Sequence, residues 1–154
     1  MDRPYARARA ALYRESMTQD HRPATLEDVH SIARALPEVE LGTSWGDRPT
    51  YLVRGKGFIV WRGEQRDAVE PDGTLMDDVM VISVPDPEDK LALVGDDSPF
   101  FTTPHFDRAP RAVLLRERDL GRLTRQELAG IIVEAWASRA PRTVARAHLG
   151  ERAE

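Results

Sequence analysis

The chain has 154 residues, a formal net charge of −4, 41% apolar and 31% charged residues, and no cysteine. That length suits one domain with a single core, and the missing thiol excludes disulfides, thiolate metal sites and cysteine nucleophiles. The longest apolar runs, residues 112–115 and 131–133, fall far short of the roughly 20 residues a membrane span needs, so a cytoplasmic protein with no membrane partner is expected.

Charge is unevenly spread. Residues 1–24 hold five basic and three acidic groups, residues 25–99 seven and sixteen, and residues 100–154 ten and seven. A protein bound to nucleic acid mainly through phosphates concentrates basic charge on one face. The acidic middle argues against tight DNA binding and leaves only the C-terminal third as a basic surface.

In chain order, residues 1–24 read as an N-terminal arm, either a short amphipathic helix or a flexible, disordered stretch. Arg3, Arg7, Arg9 and Arg14 lie there among alanines, without the apolar core of a secretory signal. Met17 offers an alternative start. The domain proper is expected over 25–149, followed by a tail over 150–154. Thr25 with Asp28 three residues on is a variant capping box, and Val29, Ile32, Ala33 and Leu36 recur at helical spacing. Pro37 disfavours continuing, so the spacing predicts a helix over 26–36.

A strand-rich block follows. Residues 50–53 and 58–61 are β-prone around the turn residues Gly55, Lys56 and Gly57, and predict a hairpin. Glu70-Pro71-Asp72-Gly73 predicts a β-turn, and residues 79–84 carry the strongest strand signal. Pro85 to Asp89 opens a second helix with carboxylates in its first turn, where the helix dipole favours them, and Gly95 stops it. Strands are expected over 100–103 and 112–115. Thr124-Arg125-Gln126-Glu127 is a full capping box for the longest helix, with Leu128, Ile131, Ile132, Ala135 and Trp136 on one face. Pro141 breaks or kinks it, and Val144, Ala145 and Leu149 suggest a last helical turn or two. The order α-β(3)-α-β(2)-α, with strands joined by tight turns, predicts an α+β two-layer sandwich: an antiparallel sheet covered by helices.

Several residues are candidates for a site. Trp45, between Ser44 and Gly46, either presents a binding aromatic or packs the sheet edge beside a tight turn. His105 follows Pro104 in a Thr-rich loop. It can act as a base or ligand near neutral pH, or be a structural histidine bonded to backbone; His30 and His148 show no ligand-like spacing with it. A ligand surface, if the chain has one, is expected at Trp45, Lys56, Thr103 and His105. The acidic run of Asp72, Asp77, Asp78, Asp86, Glu88 and Asp89 lacks the alternation of a calcium loop and reads as a solvated face and a helix N-terminus, so no metal is expected. Arg108, Arg111, Arg116, Arg122 and Arg125 form a candidate phosphate-contacting patch or an ordinary solvated surface. Alternate strand residues share a face, so Arg111 need not join Arg116.

Taken in order, these features resemble the MmcQ/YjbR family of bacterial proteins described as putative DNA-binding proteins. The resemblance spans about residues 25–149. It rests on the helix ending at Leu36-Pro37, on Thr43-Ser44-Trp45-Gly46, on the strand from Tyr51 into Gly57-Phe58, on Lys90, on Phe100 to Phe106, and on the final helix through Trp136 to Pro141. It implies an α+β fold likened to secretion chaperones and frataxin-like proteins. It also implies a non-enzymatic binding module without a cofactor or catalytic residues, binding DNA weakly through Arg108, Arg111, Arg116, Arg122 and Arg125. Two other readings stand beside that one. In the first the chain is a protein-interaction module, monomeric or a homodimer; in the second it binds a small molecule near Trp45 and His105.

Overall fold

Short-range signals in the chain settle most of its elements. In the computed structural model, which describes residues 21–153, Thr25 caps helix α1 (Leu26–Ala35) with the expected reciprocal bonds to Asp28. Strands β1 (Val39–Ser44), β2 (Arg48–Val53), β3 (Lys56–Trp61) and β4 (Val79–Ser83) follow, then the short helix α2 (Pro87–Leu93). Strand β5 (Ala112–Arg116) precedes helix α3 (Arg125–Arg139), capped by Thr124 and Glu127, and helix α4 (Arg142–Ala153). The five strands form one antiparallel sheet in the order β1-β2-β3-β4-β5, each paired with its sequence neighbour. This is the expected α+β architecture. No helix among the described residues is long and apolar enough to cross a membrane.

The differences from expectation have local causes. Residues 39–44 form a strand that the pattern Val-Glu-Leu-Gly-Thr-Ser does not announce, because β1 is an edge strand with largely exposed side chains. The strand expected over 100–103 shrinks to one bridge, Phe101 with Leu114; Pro104 has no N–H to extend a ladder. The last turn or two becomes the 12-residue helix α4, which takes in most of the expected tail. The expected arm lies, over 1–20, outside the described residues. Pro23 bridges Thr124, and Ala24 is buried with its N–H donating to Leu123 O at 2.8 Å.

The sheet is covered on both faces. On the helix face, Val29, Ile32 and Ala33 of α1 and Leu128, Ile132, Ala135 and Trp136 of α3 pack on Tyr51, Ile59, Met80, Ile82, Val113 and Leu115. Fully burying each aliphatic side chain contributes about 1.5–3 kcal/mol. On the other face, Val60, Val79, Val81 and Leu114 meet Phe106, with Met76 and Phe101 packed around them. Two long connections, residues 62–78 and 94–111, supply that cover. β4 is therefore buried on both sides, which is why its sequence is an unbroken apolar run instead of an alternating one.

Candidate functional site

The loop face carries a cleft of about 720 Å³, lined by Trp45, Leu75, His105 and Phe106 together with the polar residues 62 and 64–67. Its rim begins at the β1–β2 turn, where Ser44 pairs with Arg48 across residues 45–47. Trp45 has φ +51° and Gly46 φ +86°. A left-handed tryptophan is an uncommon, strained conformation. Trp45 is 58% exposed and forms a wall of the cleft instead of packing the sheet edge. The base of this turn is tied by Ser44 Oγ and Thr50 Oγ1 at 2.6 Å, and Thr50 Oγ1 donates to Arg48 O at 2.9 Å.

Behind the rim, the chain leaves β3 at Arg62, whose N–H still donates to Val79 O at 3.1 Å. Strand alternation puts Trp61 toward the helices and Arg62, like Val60, on the loop face. On the helix side Trp61 stacks on His30 at 5.4 Å and donates to Glu117, while His30 Nδ1 lies 2.6 Å from the Tyr51 hydroxyl. His30 is thus held in a network away from the cleft. Arg62 is only 2% exposed. Its Nη1 donates to Asp67 Oδ2 at 3.0 Å, Nη2 lies 2.8 Å from Asp67 Oδ1, and Cζ sits 5.4 Å over the Phe106 ring, a cation–π contact. Burial pushes the Asp67 carboxyl up, but the bonds from Arg62 and Thr103 outweigh it and hold the group below its ordinary range.

The opposite wall is the His105 loop. Thr103 is buried, donates to Asp67 Oδ2 at 2.5 Å and accepts the Phe106 N–H at 3.3 Å. Lys90 of α2, also buried, donates to Phe106 O at 2.7 Å and Ala109 O at 3.0 Å, and so holds the loop's single 3₁₀ turn in place. Burial lowers the Lys90 pKa from its ordinary value. His105 itself is exposed and meets Phe106 edge to face at 5.3 Å. Among the described residues it makes no hydrogen bond to backbone, so it is not the structural histidine that the sequence allowed.

Of the expected ligand surface, the fold unites Trp45 and His105 in the cleft, with Thr103 directly behind it. Lys56 opens β3 at the far end from Arg62, roughly 20 Å away at strand rise, and does not line the cleft. Arg62 and Asp67 are the members that sequence reasoning missed. No short motif flags an arginine after a strand and an aspartate five residues later.

The five arginines expected to contact phosphates are placed differently. Arg116, on the loop face of β5, is 7% exposed and enclosed by carboxylates: Nη1 and Nη2 donate to Glu70 at 2.9 and 2.6 Å, and Nε donates to Asp78 at 2.8 Å. The Glu70 and Asp78 carboxyls sit below their ordinary range, Glu70 chiefly through Arg116, and Asp78 because bonds from Arg118 and Arg116 outweigh its burial. Asp78, expected on a solvated face, is thus a partner in a buried cluster. Arg125 lies 3.4 Å from Asp28, and Arg122 donates to Asp97 O at 2.9 Å. Arg108 and Arg111 are exposed and, among the described residues, form no ion pair. No three acidic or histidine side chains among the described residues are grouped to hold a metal.

The YjbR family model matches residues 34–138, a span that contains every residue lining the cleft. Uncharacterised proteins of Mycobacterium tuberculosis and Mycobacterium bovis are each 32% identical over 133 residues, covering 82% of this chain and 96% of their own length. No solved structure matches the chain.

Proposed function

This chain belongs to the YjbR family, and from that premise we propose that it is a non-enzymatic binding module whose ligand is a small molecule held between Trp45 and His105. The observation that carries this reading is the cleft itself. Its 720 Å³ falls within the roughly 300–1,000 Å³ of small-molecule sites, and it combines apolar walls with convergent polar groups. Trp45 offers a flat, accessible surface, and Leu75 and Phe106 supply apolar contact. The buried Arg62, Asp67 and Thr103 network gives the site a pre-organised floor. A general base needs a group that orients it, whereas His105 meets the Phe106 ring edge to face, which supports binding over catalysis.

Weak nucleic-acid binding is the second reading. It draws support from the exposed indole, which can stack on a base, and from Arg108 and Arg111. Charge arithmetic favours it less, because Arg116 and Arg125 already face carboxylates.

A fragment library of neutral and charged aromatics, followed by protein-observed NMR, tests the proposal. Hits are expected to shift the Trp45 indole N–H and His105 ring resonances, and Trp45→Ala is expected to remove binding while the protein stays folded. Hits that survive Trp45→Ala would overturn it. So would submicromolar binding of labelled single-stranded DNA that collapses with salt alongside an absence of fragment hits.

A further inference from the structure

Four side chains with full charges line the cleft, Arg62, Glu64, Arg66 and Asp67, and they cancel. Arg62 and Asp67 cancel within the wall, at 2.8 Å from each other. Glu64 and Arg66 are different. Both are exposed, and among the described residues neither side chain has an ion pair or a hydrogen bond, with the other or with any third group. Arg48 lies across Gly63, outside the lining.

The segment that carries this free pair is pinned at both ends. The Arg62 N–H donates to Val79 O at 3.1 Å, and the buried Ala68 donates its N–H to Gln65 O at 3.2 Å. Glu64 and Arg66 flank Gln65, so their Cα atoms are at most about 7 Å apart. One anion and one cation therefore stand side by side on the lining of a cleft whose other members include the exposed Trp45 and the Phe106 ring.

We infer that the cleft recognises a free aromatic amino acid as its zwitterion, the ring against Trp45, the ammonium toward Glu64 and the carboxylate toward Arg66. This rests on the cleft reading above and names the ligand class. An amino acid carries opposite charges on one carbon, and the lining carries opposite charges one residue apart. Such a ligand leaves the cleft neutral and gives each free side chain a partner. A monoanion would satisfy Arg66 but meet Glu64, and a cation would do the reverse. An uncharged ring would leave both side chains to water. Exposed charges are screened, so each contact adds little affinity. The aromatic wall supplies most of the binding, and the charged pair selects the ionic form.

The test uses four ligands with one ring: tryptophan, its amide, N-acetyltryptophan and N-acetyltryptophanamide, which are zwitterionic, cationic, anionic and neutral. Each is titrated by NMR into the isotope-labelled full chain, with the Trp45 indole N–H as the reporter. Tryptophan is expected to bind about two- to fivefold more tightly than either singly blocked form. Glu64→Gln is expected to abolish its advantage over N-acetyltryptophan, and Arg66→Gln its advantage over the amide. Both positions are exposed, so neither variant disturbs the core. Equal binding of all four through Trp45, or an advantage that survives both variants, would overturn the ligand class and leave the cleft reading standing. Tightest binding of N-acetyltryptophan would overturn it in favour of an anion, and of the amide in favour of a cation. No shift of Trp45 by any of the four would also overturn it, and the fragment titration would then decide the cleft reading independently.

Discussion

An arginine buried beside an aspartate is a commitment by both residues, because removing one leaves the other charged and out of water. Arg62 and Asp67 are 3% and 19% exposed at their side chains. Asp67→Ala is therefore expected to cost about 3 kcal/mol, as for a buried pair stripped of one partner, read as a lower urea midpoint with unchanged slope. The variant also removes the acceptor for Thr103, so the His105 loop should loosen with it. At this scale the sequence was legible in part. Trp45 and His105 stand out by type and by their turn-forming neighbours, Gly46 and Pro104. Arg62 and Asp67 do not, since nothing in Trp61-Arg62-Gly63 tells a solvated arginine from a sheltered one. Their third partner, Thr103, is 36 residues beyond Asp67.

Among the elements, the short helix α2 acts as a clamp on the cleft. Lys90 is its buried residue, and it reaches two carbonyls of the loop that carries Phe106. Lys90→Met keeps the apolar stem but removes one of two donors to each carbonyl, leaving Phe106 O with the Ala109 N–H and Ala109 O with the Ala112 N–H, at about 0.5–1.5 kcal/mol for each lost bond. The expected outcome is faster amide exchange across residues 103–109, with protection in the central strands retained. Such exchange confined to α2 alone would show that the loop does not depend on this lysine. Elements with strong local signals were legible: the two capping boxes, the apolar stripe of α3, and the β2–β3 hairpin, though its turn is Arg54-Gly55, both with positive φ as a type I′ turn requires, and not Gly55-Lys56-Gly57, of which Lys56 and Gly57 already belong to β3. β1 was not legible, because an edge strand needs no apolar alternation when little of it is buried.

Over the whole molecule, carboxylates pair with arginines, locally as Asp28 with Arg22 and Asp67 with Arg62, and between distant segments as Asp28 with Arg125 and Glu70 and Asp78 with Arg116. All four carboxyls are held below their ordinary range, Asp28 from 3.8 to about 2, chiefly by the Arg22 hydrogen bond. A lowered folded-state value means that the unfolded chain takes up protons first. The stabilisation is complete above the unfolded value and is lost as pH falls through the folded one. Asp28 alone is expected to contribute about 2 kcal/mol near neutrality, lost between 3.8 and about 2. Urea unfolding at about pH 5 and about pH 2.5 checks this, and Asp28→Asn should remove that share of the pH dependence. By itself, the sequence determined the α+β class, the helix faces, the caps and most turns, because periodicity, proline and capping act over a few residues. Only the tertiary structure decided which charges are free. The connection over 62–78 folds across one sheet face and carries Asp67, Glu70 and Asp78 to or beside arginines that strand alternation had already aimed there. Burial and ion pairing are set by such approach, which encloses Arg116 between Glu70 and Asp78 and sets Phe106 over the Arg62 guanidinium and Thr103 on its partner Asp67.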